Sequence, residues 1–264
     1  MKLFRSQGRK TVLAYLFTGF LLSPVVLPAQ TITIAPGSQF SLGSGSLDAG
    51  CGDLAVAGTF SVNSGSANSL RNVTINPGVI NGGSGSINLS GDWVNQGTFN
   101  PQTGSVNISD GCGTTSSRLV GDSTFNRLSA SSSSGKQLQP ESGSTQTFNG
   151  GLALAGSGPD RLLIRTSAPG STAQFVLNSG ASQSISSVDV QDIDSSAGEP
   201  IAQGPPERFN SVDSGNNTNW FVSAIQEIVP VDTLPAPLLA ILAILILILG
   251  TRARMPAVQK ATTE

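Results

Sequence analysis

The sequence predicts an all-β protein in which a parallel β-solenoid (β-helix) lies between an N-terminal signal helix and a C-terminal transmembrane helix. Three observations support this prediction. Apolar and polar residues alternate through the middle of the chain, Gly-Ser pairs recur there at near-constant spacing, and both ends carry apolar segments. A β-sandwich is the alternative, because two of its strands would occupy the same period.

The N-terminal segment, residues 1–29, has the parts of a secretory signal peptide. Four basic residues lie among the first ten, and the apolar run Val12–Leu22 follows them. This run is too short to cross a bilayer as a mature helix. Ala29 supplies a small residue before Gln30. We therefore expect the export machinery to recognise residues 1–29 and signal peptidase to remove them; the alternative is an uncleaved anchor.

A second apolar segment, Leu234–Gly250, lies near the C-terminus. As a helix it would measure about 25 Å, slightly less than the hydrocarbon core of a membrane. Arg252 and Arg254 follow it directly and act as a topology signal, which places residues 255–264 in the cytoplasm under the positive-inside rule. We expect a short transmembrane anchor; the alternative is a buried helix of a soluble domain.

A short motif precedes this segment and consists of Val229, Pro230, Val231, Asp232, Thr233 and Leu234. Together with the apolar span and the Arg-x-Arg sequence, it resembles the C-terminal sorting tails that exosortase-class membrane proteases cut in Gram-negative bacteria. The most similar motif of that class is Ile-Pro-Thr-Leu, to which Pro230 and the Thr233-Leu234 pair correspond. The resemblance covers residues 229–254 and implies a membrane-anchored precursor that is processed by such an enzyme.

The region between the two ends, residues 30–228, is acidic. It contains ten Asp and four Glu against seven Arg and Lys residues. This balance offers no basic surface for nucleic acid, so we expect no nucleic-acid partner. Gly and Ser are abundant, but alternating segments such as Thr31–Ile34, Thr59–Val62 and Ile87–Leu89 predict strands with one apolar side.

A short sequence repeat organises this region. Gly-Ser pairs begin at Gly45, Gly65, Gly85 and Gly104, which gives a near-constant period of about 20 residues. That period suits one turn of a β-solenoid, in which small residues occupy the corners and apolar side chains form a continuous core. About ten turns would form a rod of about 48 Å at the usual strand spacing.

Three further segments, 91–99, 187–190 and 213–220, resemble those of repeat-rich, adhesin-like surface proteins of bacteria. These proteins often carry sorting tails. The resemblance implies a β-rich ectodomain at the cell surface. It implies an architecture and a location, and it leaves the activity open.

The two cysteines, Cys51 and Cys112, stand in matching Gly-Cys-Gly sequences. Export to an oxidising compartment and an even count predict a disulfide. Their separation equals three turns, or about 14 Å along a regular solenoid, whereas a disulfide needs Cα atoms within about 7 Å. The bond therefore requires loops that fold toward each other or irregular turns between them.

The candidates for chemistry are few. The chain has no His, which excludes Ser-His and Cys-His nucleophiles and His-ligated metals, and we expect no cofactor. Asp189, Asp192 and Asp194 form one acidic cluster, and strand alternation would place Asp192 and Asp194 on one side. They are weak candidates for a Ca²⁺ site or for glycoside cleavage, against the alternative of a solvated strand end.

The sequence thus predicts a non-enzymatic, exported protein of the cell surface or extracellular matrix, with a role in adhesion or architecture. Its domains are a signal peptide (1–29), a β-solenoid ectodomain (30–228), a sorting signal with a transmembrane segment (229–254) and a cytoplasmic tail (255–264). The alternative is a β-helix that binds or cleaves an extracellular polysaccharide. For Trp93 and Trp220, we expect a place in the core rather than on a sugar-binding surface.

Overall fold

The computed structural model describes residues 30–222, together with 240, 241 and 244. The predicted signal peptide, the sorting motif and the two arginines of the topology signal lie outside the described residues. Residues 240, 241 and 244 are helical, and Ile241 and Ile244 are exposed. Among the residues described, no helix combines the length and the apolar character that a membrane span requires.

Residues 30–222 fold into short parallel strands and one 3₁₀-helix, Pro206–Phe209. The first twelve strands are β1 (Ile32–Ile34), β2 (Gln39–Ser41), β3 (Ser46–Asp48), β4 (Leu54–Val56), β5 (Thr59–Ser61), β6 (Ser66–Leu70), β7 (Val73–Ile75), β8 (Val79–Asn81), β9 (Ser86–Leu89), β10 (Trp93–Asn95), β11 (Thr98–Asn100) and β12 (Ser105–Ile108). The others are β13 (Ser116–Val120), β14 (Ser123–Ser131), β15 (Gln137–Pro140), β16 (Thr145–Ala155), β17 (Leu162–Ile164), β18 (Ala173–Leu177), β19 (Ser182–Ser186), β20 (Val188–Val190), β21 (Ile193–Asp194) and β22 (Val212–Asp213).

The strands form three sheets that wind around one core, and this confirms the predicted β-solenoid. Face A has nine strands in the order β1-β4-β7-β10-β13-β15-β17-β20-β22. Face B has the order β11-β8-β5-β2, and face C the order β21-β18-β16-β14-β12-β9-β6-β3, with β19 also paired to β16. Each turn of the first four contributes one short strand to every face. In the next two turns, the long strands β14 and β16 replace the separate strands, and β18 and β19 then pair with the two halves of β16.

The solenoid has about eight turns rather than the ten expected from a uniform period, because the turns lengthen toward the C-terminus. On face A, Leu54 pairs with Val73 and Val73 with Trp93, which agrees with the period of the sequence repeat. Trp93 then pairs with Leu119, and Leu162 with Val188, so these later steps along the chain are longer. Nine strands at about 4.8 Å spacing give a length of roughly 38 Å.

The core follows the alternation in the sequence. In β4, β7, β17 and β20, the first and third residues are buried and the middle residue is only partly buried. Strands β14, β16 and β18 contribute aromatic side chains that stack from turn to turn, with ring centroids 6.1 Å apart for Phe125 and Phe148 and 5.3 Å apart for Phe148 and Phe175. Each of these buried rings stabilises the fold by about 1.5–3 kcal/mol relative to an exposed one.

The two tryptophans belong to this core, as expected. Trp93 is fully buried, and its indole N–H donates to the Ser123 hydroxyl at 3.0 Å. Trp220 is 3% exposed and packs against Phe175 with ring centroids 6.3 Å apart. Neither indole is available to stack on a sugar ring.

The recurring glycines form the corner between faces B and C. A Cβ on Gly65 would lie under 3.0 Å from the carbonyl oxygen of Gly45, and a Cβ on Gly85 would meet that of Gly65 in the same way. The corner between faces A and B repeats this arrangement, where Gly97 would meet Gly78. The Gly-Ser repeat therefore reflects a steric requirement of stacking at one strand spacing.

We predict that Gly85→Ala destabilises the protein by about 1–3 kcal/mol, because the new methyl group would press on the backbone of the preceding turn. Urea unfolding followed by circular dichroism measures the change. Ser84→Ala is the matched control, since Ser84 is exposed at the same corner. Equal stability of the two variants would contradict the steric explanation of the repeat.

Candidate functional site

The predicted disulfide is present and joins two corners on the same edge of the solenoid. Cys51 and Cys112 are 61 residues apart in sequence, and their Cα atoms lie 5.4 Å apart. Cys51 lies between β3 and β4, and Cys112 lies between β12 and β13, three turns further on. The 109–115 loop between β12 and β13 must therefore fold back along the axis, which is the irregularity that the sequence required.

A buried lysine holds this loop in place. Lys136 is 1% exposed, and its ammonium group donates to the Ser90 carbonyl at 2.6 Å. It also donates to the carbonyl and hydroxyl oxygens of Thr114, at 3.1 and 2.8 Å. Ser90 lies before β10, and Thr114 lies within the 109–115 loop. Lys136 therefore connects consecutive corners of the solenoid.

Burial and hydrogen bonds shift the pKa values of two ionisable groups near this loop. Burial lowers the pKa of the Lys136 ammonium, although the carboxylates of Asp110 and Asp92 act in the opposite direction. Burial acts to raise the pKa of Asp110, but hydrogen bonds from Ser133 and neighbouring serines outweigh it, and the pKa falls below its usual range. Both groups therefore support the loop structurally.

The acidic cluster near the C-terminus does not form one constellation. Asp189 makes an ion pair with Arg165 at 2.8 Å and accepts a hydrogen bond from the Ser214 hydroxyl at 2.6 Å. Asp194 accepts a hydrogen bond from the Ser196 N–H at 2.9 Å. The Asp189 contacts join neighbouring turns, whereas the Asp194 contact is local.

The expectation that Asp192 and Asp194 share one side was wrong. Asp192 stands at the corner between β20 and β21 with a φ of 64°, so strand alternation is interrupted there. Its side chain is buried, and its carboxylate accepts hydrogen bonds from the Gly170 N–H and the Asn216 amide, at 3.0 and 2.7 Å. Asp194 is only partly buried. Among the described residues, no three acidic or Cys side chains are grouped closely enough to hold a metal ion.

Face C presents a regular polar surface. Asn68, Asn88 and Asn107 occupy the same outward position in consecutive turns. The Asn88 amide donates to the Asn68 side-chain oxygen at 2.7 Å, and the Asn107 amide donates to Asn88 at 2.8 Å. A parallel column of serines lies beside them, at Ser46, Ser66, Ser86 and Ser105.

A cavity of about 400 Å³ continues this face toward the later turns. Its polar lining includes Asn107, Arg127, Ser129 and Gln183. The Arg127 side chain is exposed, and it makes neither an ion pair nor a hydrogen bond with the described part of the chain. The cavity therefore combines one free guanidinium group with neutral hydroxyl and amide groups.

Sequence reasoning located the cysteines and the acidic residues but missed Lys136, Arg127 and the asparagine column. The column had a signal, because Asn68, Asn88 and Asn107 follow the period of the Gly-Ser repeat. Lys136 had a weaker signal, as the single lysine among residues 30–228. Arg127 had none, since its surroundings depend on β16 and β19.

Comparisons of the chain with protein-family models, with curated proteins and with solved structures found no match.

We predict that the double variant Cys51→Ala/Cys112→Ala loses about 4 kcal/mol of stability, from the chain entropy of a 61-residue loop. Urea unfolding with and without reductant measures this loss. Reduction should destabilise the natural protein by a similar amount and leave the double variant unchanged. Unfolding midpoints that do not respond to reductant would show that the disulfide does not hold the loop.

Proposed function

We propose that this chain is an exported, non-enzymatic protein of the cell surface or extracellular matrix of a Gram-negative bacterium. It is delivered through the general export pathway and is held by its C-terminal segment until an exosortase-type enzyme processes the sorting motif. The ectodomain then serves adhesion or extracellular architecture.

The main support for a non-enzymatic role is that the candidate acidic side chains make structural contacts. Asp189 and Asp192, two of the three weak acidic candidates in the sequence, are both engaged in contacts between turns. Catalysis of glycoside cleavage would instead need two carboxylates that face a common groove. A rod of stacked turns with a polar surface suits a structural role at a cell boundary, and the disulfide suits an oxidising compartment.

Intact-mass measurement of the mature protein, combined with cell fractionation, tests export and processing. We expect a mass that lacks residues 1–29, a second cleavage near Val229–Leu234, and the loss of two hydrogen atoms that marks the oxidised cysteine pair. Replacing Pro230, Thr233 and Leu234 by Ala should leave export intact and abolish the second cleavage. Retention of both terminal segments in the surface-exposed protein would overturn the proposal.

A polysaccharide ligand is the second candidate function, and the cavity on face C favours it. A chain of sugars carrying carboxylates would meet hydroxyl and amide groups along this face and the free guanidinium of Arg127. Hydrogen bonds to a charged group contribute about 1.5–3 kcal/mol each, so one arginine would influence affinity measurably.

We predict that Arg127→Ser weakens binding of a uronate polysaccharide at least about tenfold, with little effect on a neutral one. Calorimetry or affinity electrophoresis with the exported protein measures this change. Arg118→Ser is the matched control, because Arg118 is also exposed but lies on face A. Equal affinity of both variants for uronate chains would exclude the cavity as the site. New reducing ends or unsaturated products would indicate an enzyme instead.

A further inference from the structure

The first turn of the solenoid has open strand edges on all three faces. Among the described residues, β1 pairs with β4 alone, β2 with β5 alone and β3 with β6 alone. One row of backbone N–H and C=O groups on each strand therefore faces outward along the axis. Proteins usually protect such edges with charges, proline or bulges. The three strands contain a single charged residue, Asp48, and no proline.

The hydrophobic core is also uncovered at this end. Phe40 is 44% exposed, the only large apolar side chain in residues 30–222 that is exposed, and its ring stacks on Phe60 at 6.0 Å. Beside it lies an open cavity of about 300 Å³, lined by Ile32, Ile34 and Phe40 among others. At the opposite end Trp220 is only 3% exposed. The stacked column of apolar side chains therefore ends at the first turn without a covering layer.

The pattern of the first turn is complementary to itself. Its three strands have equal length, and the corners 35–38 and 42–45 are equally long as well. A two-fold axis through the middle of β1 would pair β1 with its copy in antiparallel fashion, and β2 with the β3 of the second copy. Ile32 would then oppose Ile34, and Phe40 would oppose Leu47. These are the residues directed toward the core.

The polar positions are compatible with the same arrangement. Asp48 would oppose the neutral Gln39 of the second copy, so the one charged residue of these strands avoids its own equivalent. Ser46 would oppose Ser41, and Thr33 would oppose Thr33. No bulky or like-charged pair interferes with the backbone hydrogen bonds of three antiparallel strand pairs.

We propose that two copies of this protein associate head to head through their first turns. The interface joins the two cores and extends all three sheets across the dimer. It is isologous and therefore closed, so assembly stops at two. If the proposed function holds, the two C-terminal tails leave from opposite ends of a rod of roughly 80 Å, a layout suited to bridging two surfaces.

Multi-angle light scattering of the exported full chain, in mild detergent, tests the dimer. We expect the protein mass of two chains. Phe40→Lys and Leu47→Lys should each halve that mass, because they place an ammonium group in the apolar interface. Val79→Lys is the matched control: Val79 points outward from β8 inside the stack, and the variant should remain dimeric. Circular dichroism checks that each variant is folded.

Cross-linking tests the symmetry independently. Thr33→Cys should form an intermolecular disulfide under mild oxidation, since the two copies of residue 33 would face each other across the axis. Thr74→Cys occupies the same position on face A two turns away and should not form one. A monomeric natural protein would overturn the proposal, as would cross-linking at Thr74 in place of Thr33. Neither result depends on whether the sorting motif is processed.

Discussion

The whole structure depends on one constraint: successive turns must approach to the spacing of hydrogen-bonded parallel strands. At that spacing, the corners between faces leave no room for a Cβ atom, and Gly65 and Gly85 each lie against the carbonyl of the preceding turn. Once the corners are fixed, the strands between them are in register. Residues at equivalent positions of successive turns then form columns along the axis. The buried aromatic column and the outward-facing asparagine column are both consequences of this register.

The first long turn departs from this regular spacing, and specific interactions compensate for it. Additional residues enter between the Trp93 and Leu119 positions, compared with the preceding turn. The resulting loop cannot continue the ladders of the neighbouring corners. Lys136 supplies three hydrogen bonds to its backbone and surroundings, and the disulfide attaches it to a corner three turns earlier. Burying an ammonium group costs free energy because the group loses its hydration. The hydrogen bonds from Lys136 to Ser90 and Thr114 compensate for this cost and hold the loop in place.

The contacts between turns also determine which polar groups remain available to a binding partner. Acidic side chains that were candidates for a metal or catalytic site instead join turns. Asp192, for example, accepts hydrogen bonds from two different loops. The surface of face C instead offers hydroxyl and amide groups together with the unpaired guanidinium of Arg127. Such a surface fits extended, hydrated ligands or a passive role. The exposed backbone and core of the first turn present a different kind of surface, one suited to another chain of the same shape.

The sequence by itself determined the solenoid, its inward and outward residues and its glycine corners, because period and alternation are local properties that stacking merely repeats. It also indicated that Cys51 and Cys112 needed an irregular loop to meet. Only the tertiary structure decided that the turns number about eight, that Asp192 turns inward at a corner, and that Lys136 is buried. The physical reason is that the lengths of the later corners, and the partners of a side chain at a corner, depend on which distant turn lies beside it.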